Sequence, residues 1–189
     1  VVVFQATMPP RADPNAEIVL YLRVKGGIIP APNALGPKIG PYGLPPKVVG
    51  EKIHEATQGY KGIRVKVRIV SKNRQPTVSV VPTASSLLVK ALGEGPRTIP
   101  KGQPLLHTGT VKFDTVLDIA KELRANSFAL KYAGTVLEVL GSARSVGCKV
   151  EYKGTVYSPA EITEMVKAGD IEIPEYNVPY QLAEEQETE

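Results

Sequence analysis

TVLEVLGSARSVGCK, residues 135–149, spaces its apolar side chains as a helix does. At about 100° per residue, Val136, Val139, Leu140, Ala143 and Val146 gather on one face. Gly141 and Ser145 point the other way, flanked by Ser142 and Cys148. Thr135 and Glu138 have the spacing of a capping box, which predicts a helix start at Thr135. A solvated face ordinarily carries Lys, Glu, Gln or Arg, and a glycine inside a helix costs about 1 kcal/mol relative to alanine. Two readings account for so bare a face. Either a nucleic-acid backbone comes close, with Ser142 and Ser145 bonding phosphate or ribose oxygens, or a neighbouring helix of the same chain covers it.

The neighbourhood favours nucleic acid. Arg144 and Lys149 flank the small residues, and the loop GEGPRTIPKGQPLLHTGT (93–110) brings Arg97 and Lys101, followed by Lys112. Phosphate contacts supply much of the affinity for nucleic acid, and small residues permit close approach. A third helix used for recognition has helix-turn-helix geometry. The aromatic platforms of single-strand binders are missing from this stretch. Structured RNA or duplex DNA is the expected ligand, a free helix-turn-helix-like DNA-binding module being the alternative to an RNA binder.

Charge points the same way. The chain of 189 residues has a net charge of +4, but its last nine residues, QLAEEQETE, hold four acids and no base. Without that tail, residues 1–180 carry +8, a basic body suited to an anionic partner. Hydrophobic content of 42% supports a packed core. No apolar run approaches the roughly 20 residues that span a bilayer, so no membrane partner is expected. The opening VVVFQATMPP lacks the basic start and long apolar centre of a secretory signal, and Met8 reads as the natural initiator. Cys148 is the lone cysteine, so no internal disulfide forms, consistent with a reducing compartment.

Upstream the pattern changes. PPRADPNA (9–16) reads as a polar arm. EIVLYLRVK (17–25) is a β-branched strand. In GGIIPAPNALGPKIGPYGLPP (26–46), proline and glycine break regular hydrogen bonding repeatedly. It lacks the Gly-Lys-Ser/Thr ending of a phosphate loop, and its glycines miss the dinucleotide fingerprint. A helix follows, with Val49, Ile53 and Ala56 as its apolar stripe and Gly59 as its stop. IRVKVRIV (63–70) alternates, with Ile63, Val65, Val67 and Ile69 on one side and Arg64, Lys66 and Arg68 on the other. TVSVV (77–81) pairs with it, and TASSLLVKAL is a helix stopped by Gly93. One small sheet with helices on one face satisfies this order. Downstream, helices are expected through KFDTVLDIAKEL, SFALKYAG and residues 135–149. Ser158-Pro159-Ala160-Glu161 starts a fourth that ends near Lys167.

Catalytic chemistry is not in evidence. His54 and His107, the two histidines, fall in different predicted domains without metal-like spacing. Asp114 and Asp118 suit a solvated helix face. Cys148 has no activating neighbour in sequence and reads as a small filler. An enzyme using Cys148 with a distant histidine is the rival from another class; no metal, no cofactor and no catalytic residue are expected.

Several ordered stretches then carry a resemblance. LGSARSVGCKVE, PKIGPYGLPPKVVG, MPPRADPNAEIVLYLRVKGG and NRQPTVSVVPTASSLLVKAL resemble, in order and spacing, the universal large-subunit ribosomal protein eleven family, called protein twelve in eukaryotic ribosomes. The resemblance covers roughly residues 8–175. It implies an α+β chain of two domains. A flexible arm (1–14) precedes a small sandwich-like N-terminal α/β domain (15–93) with a three-stranded sheet and the proline-rich segment. A linker loop and an all-α helical RNA-binding domain (94–175) follow, then an acidic tail (176–189). It implies a structural constituent of the cytosolic large subunit that binds the GTPase-associated centre of the ribosomal RNA at the stalk base. The rRNA-binding residues it implies are Arg97, Lys101, Thr110, Lys112, Ser127, Gly141, Ser142, Arg144, Ser145, Gly147 and Lys149. Its factor-facing segment maps to Pro30, Pro32, Pro37, Lys38, Pro41, Pro45 and Pro46. Acidic stalk ribosomal proteins and translation GTPases (elongation factors) are the further partners it implies. This sequence departs at Leu137, where the family often has a basic residue, before Met8, and after Pro174.

Overall fold

The computed structural model describes residues 17–72, 75–94 and 107–176. The N-terminal arm, Met8, Arg97, Lys101 and the acidic tail beyond Tyr176 lie outside the described residues.

Three strands form the first sheet: β1 (Ile18–Lys25), β2 (Arg64–Lys72) and β3 (Gln75–Val81), antiparallel in the order β1-β2-β3. Alternation sets the register. Leu22 lies opposite Val67 and Ile69 opposite Val78, so one face is apolar except for the buried Ser71 near the end of β2. That face is covered by α1 (Pro32–Ile39) and α2 (Pro46–Ala56), and the core holds Leu22, Val24, Leu35, Ile39, Val49, Ile53, Val65, Val67 and Ile69.

Helix α1 corrects the reading of residues 26–46 as a stretch where regular hydrogen bonding is repeatedly broken. Pro32 sits in the first turn, where no amide hydrogen is needed. Pro37 lies inside this eight-residue helix, yet Leu35 and Ile39 bury one turn apart and hold the segment helical. Tertiary burial outweighs the lost bond. Helix α2 ends at Ala56, with Thr57 rather than Gly59 as its C-terminal stop. The Thr57 hydroxyl donates to the Ile53 carbonyl at 2.7 Å and accepts the Gly27 amide at 3.2 Å. Val49 and Ile53 are buried as expected, but Ala56 is exposed.

The second core is built from α3 (Ala84–Leu92), α4 (Phe113–Leu123), α5 (Tyr132–Val146) and α6 (Pro159–Ala168). Leu87 and Leu88 of α3 pack here with Val116, Val136, Val139, Leu140 and Ile162. The sequence grouping of residues 84–92 with the first sheet is thereby corrected: α3 closes the helical unit. A small sheet, absent from the all-α expectation, completes that unit. It orders β4 (Thr110–Lys112), β5 (Lys149–Tyr152) and β6 (Thr155–Tyr157), with β4 parallel to β5. Lys153 and Gly154, at φ 49° and 79°, make the two-residue turn between β5 and β6. The strands are only three or four residues long, too short for period-two alternation to reveal them.

Two helix starts separate expectation from outcome. The capping box at Ser158 and Glu161 forms, with Ser158 accepting the Glu161 amide and Glu161 accepting the Ser158 amide. The one at Thr135 and Glu138 does not. Helix α5 begins earlier, at Tyr132, and Thr135 is fully buried inside it. Residues 127–131 are not helical, so the separate helix expected through SFALKYAG is absent.

Candidate nucleic-acid interface

Burial of Val136, Val139, Leu140 and Ala143 fixes how α5 is turned, and so what it leaves outside. Glu138, Gly141 and Ser145 are exposed and Ser142 is half-buried, one line along the helix at i, i+3, i+4 and i+7. A side chain at Gly141 would meet nothing within 4 Å. No neighbouring helix among the described residues covers that position, so the helix-packing reading of the bare face finds no support there. The Ser142 hydroxyl donates to the Glu138 carbonyl at 3.1 Å, and the Ser145 hydroxyl to the Ser142 carbonyl at 2.8 Å. Both therefore turn oxygen lone pairs outward, which suits acceptance from a ribose hydroxyl.

At its C-terminal end α5 is tied to the segment that precedes β4. Gly147, in the left-handed conformation at φ 85°, donates to the Ala143 carbonyl at 2.9 Å and turns the chain. The His107 amide donates to the Val146 carbonyl and the Lys149 amide to the Gly109 carbonyl, each at 3.1 Å. Thr110 pairs with Lys149 across β4 and β5, and both are exposed. Gly141, Ser142, Arg144, Ser145, Gly147, Lys149 and Thr110 thus lie along one helix and its exit. Ser127 joins them at the other end, where its hydroxyl lies 2.8 Å from Glu138 and 2.9 Å from the buried Thr135 hydroxyl. Lys112 is exposed two residues beyond Thr110, opposite Glu151.

Sequence reading missed two parts of this arrangement. His107, read as bland, is buried and hydrogen-bonds Glu94, joining the residues that flank 95–106. Glu138, read as a capping residue, places a carboxylate on the bare face. Cys148 is buried, and burial pushes its thiol above the ordinary value, the reverse of an activated nucleophile. Among the described residues no cluster of potential metal ligands occurs, and no helix is long and apolar enough to cross a membrane.

In the proline-rich segment Pro32, Pro37, Lys38, Pro41 and Pro45 are exposed, while Pro30 and Pro46 are half-buried. Pro30, Ala34, Leu35 and Lys38 help line a groove of about 270 Å³ between α1 and β1, beside the exposed Ile28.

Residues 20–75 match the model of the ribosomal protein L11 N-terminal domain, and residues 80–150 that of the ribosomal protein L11 RNA-binding domain. The chain belongs to the ribosomal protein L11 family. The L11 RNA-binding match takes in α3, α4, α5 and the exit from α5, the elements that frame the bare face. The chain is 50% identical to large ribosomal subunit protein uL11 of Neurospora crassa, over 89% of this chain and 99% of that one. It is 48% identical to uL11A of Saccharomyces cerevisiae and 44% to uL11A of Schizosaccharomyces pombe, with the same coverage. L11 proteins are structural ribosomal proteins rather than enzymes, and this chain carries the L11 RNA-binding domain.

Proposed function

We propose that the chain is a constituent of the cytosolic large ribosomal subunit that binds the GTPase-associated centre of its RNA at the stalk base. The open position at Gly141 carries this reading. A glycine retained in the exposed interior of a helix, against its propensity cost, is explained by an RNA backbone passing within contact distance. Arg144 and Lys149 supply phosphate contacts beside it. The sequence between Glu94 and His107 holds two further basic residues, Arg97 and Lys101.

Binding of the full chain to GTPase-centre RNA across a salt series, with duplex DNA as control, tests this. Tight RNA binding that weakens as salt rises is expected, with Gly141→Leu reducing it in a folded protein. Equal or stronger binding to duplex DNA would sink the proposal, as would a folded Gly141→Leu protein that binds RNA normally.

The proline-rich segment has a second part in this reading. Prolines lower the entropic cost of holding a shaped surface, and the groove beside Pro30 is apolar on one side and basic at Lys38. Such a surface faces translation GTPases, with acidic stalk proteins as neighbours. Pro37→Ala with Pro41→Ala is expected to impair factor-dependent GTP hydrolysis while leaving ribosome incorporation intact. Unchanged hydrolysis would count against that role.

A further inference from the structure

Among the described residues no helix covers the outer face of the first sheet, and apart from the Val19–Val70 pair its β1 and β2 positions are basic or aromatic. Arg23 and Lys25 from β1, and Arg64, Lys66, Arg68 and Lys72 from β2, all point to this side. None of the three strands contains Asp or Glu; among the described residues, Glu17, just before β1, is the acid that continues this face. The strand register sets Lys25 directly opposite Arg64 and Arg23 directly opposite Lys66. Like charges facing each other across strands are unfavourable. Alternating an acid into any of these positions would relieve the repulsion at no cost to the core.

An aromatic ring sits in the middle of this field. Tyr21 is 53% exposed, lies opposite Arg68, and has the Lys66 ammonium 4.4 Å from its ring centroid. The Arg68 Nε is buried and finds no hydrogen-bond partner among the described residues. The third strand adds the exposed Gln75, Thr77 and Ser79, polar and uncharged. Cations spaced about 7 Å apart along each strand, around an exposed ring, fit a chain of phosphates carrying bases that stack. An acidic peptide would use the charge but leave the ring without a role.

We propose that this face is a second RNA-binding surface, one that holds a single-stranded segment by phosphate contacts to the six cations and base stacking on Tyr21. It is separate from the α5 face in both residues and mode, since the exposed line of α5 offers small residues and no aromatic ring.

The test is photocrosslinking of the full chain to a 4-thiouridine-containing oligouridine of about 12 nucleotides, with crosslinked peptides mapped by mass spectrometry. A crosslink in the Tyr21 peptide is expected, weakening as salt rises. Arg64→Gln/Lys66→Gln/Arg68→Gln should reduce oligonucleotide affinity at this face about tenfold or more and flatten its salt dependence by about 2 logarithmic units per unit, three phosphate contacts being removed. The triple variant removes like-charge repulsion, and circular dichroism together with unchanged binding of GTPase-centre RNA would verify its fold. Tyr21→Leu, which keeps every charge, should lower the affinity too. Crosslinks confined to residues 80–176, or a folded triple variant that crosslinks as well as the parent, would overturn the proposal. Equal displacement of the oligonucleotide by polyglutamate, with no effect of Tyr21→Leu, would overturn it in favour of an acidic protein partner. Failure of GTPase-centre RNA to bind α5 with the sheet crosslink intact would reject the other RNA reading and leave this one standing.

Discussion

His107 hydrogen-bonds the Glu94 carboxylate through Nδ1, while its own amide donates to the Val146 carbonyl at 3.1 Å. One residue therefore ties Glu94, 13 positions upstream, to the end of α5. Closing a loop before its ligand arrives lowers the ordering cost at binding. His107→Ala removes the ring and leaves the part-buried Glu94 carboxylate short of one partner. An affinity loss of about tenfold for GTPase-centre RNA is expected, equivalent to about 1.4 kcal/mol, from a residue that touches no phosphate. Titration of folded His107→Ala with that RNA checks it; unaltered affinity would show that the clamp does not prepare the loop.

Gly141 separates stability from binding. Its added methyl group would stand in open space, so Gly141→Ala should gain helix propensity of about 1 kcal/mol and raise Tm by about 2–4 °C. RNA binding should move the other way, with Gly141→Leu weaker still. Calorimetry paired with RNA titration would show the two trends diverging. Joint improvement of both would mean that no backbone passes there.

The first sheet was legible because β2 runs nine residues, long enough for Val65, Val67 and Ile69 to declare a buried side. The apolar stripe of α5 was legible for the same reason. Other features were hidden by causes that act through space. Helix α1 forms despite Pro37 because Leu35 and Ile39 are buried, which proline-counting cannot anticipate. Thr135 and Glu138 match a capping box, yet Thr135 is 0% exposed and its hydroxyl pairs with Ser127 and Arg124, so the helix extends a turn further back. The bare face could be found in sequence, since Gly and Ser stand where long polar residues belong. The His107–Glu94 pair could not, because 13 residues separate the partners and neither is in a motif.

Gly26 is the position in the first unit where a methyl group has no room. An added Cβ would lie 2.1 Å from the Tyr60 carbonyl oxygen, a backbone atom that accepts the Ile63 amide at 3.1 Å. Gly26→Ala should destabilise the first unit by about 3 kcal/mol, at the upper end of what overpacking costs. Urea unfolding followed by a probe in the sheet would read the loss. Binding of GTPase-centre RNA, which the proposal assigns to α5, should persist below the new midpoint.

Tyr132 links helix placement to alkaline stability. Its hydroxyl donates to the Leu117 carbonyl at 2.6 Å, joining the start of α5 to α4. Burial raises its phenol above the ordinary tyrosine value, with Asp118 and then Tyr176 adding to the shift. The folded state therefore favours the protonated phenol. The stability this contributes is complete below the unfolded value of about 10 and is lost as pH rises through the higher folded value. Unfolding free energy should fall with pH above about 10, since the unfolded chain then binds fewer protons than the folded one. Tyr132→Phe should cost about 1 kcal/mol at neutral pH, the worth of one hydrogen bond, and flatten that alkaline decline. Urea unfolding of both proteins at neutral and alkaline pH would decide it: parallel declines would mean that another group carries the alkaline loss.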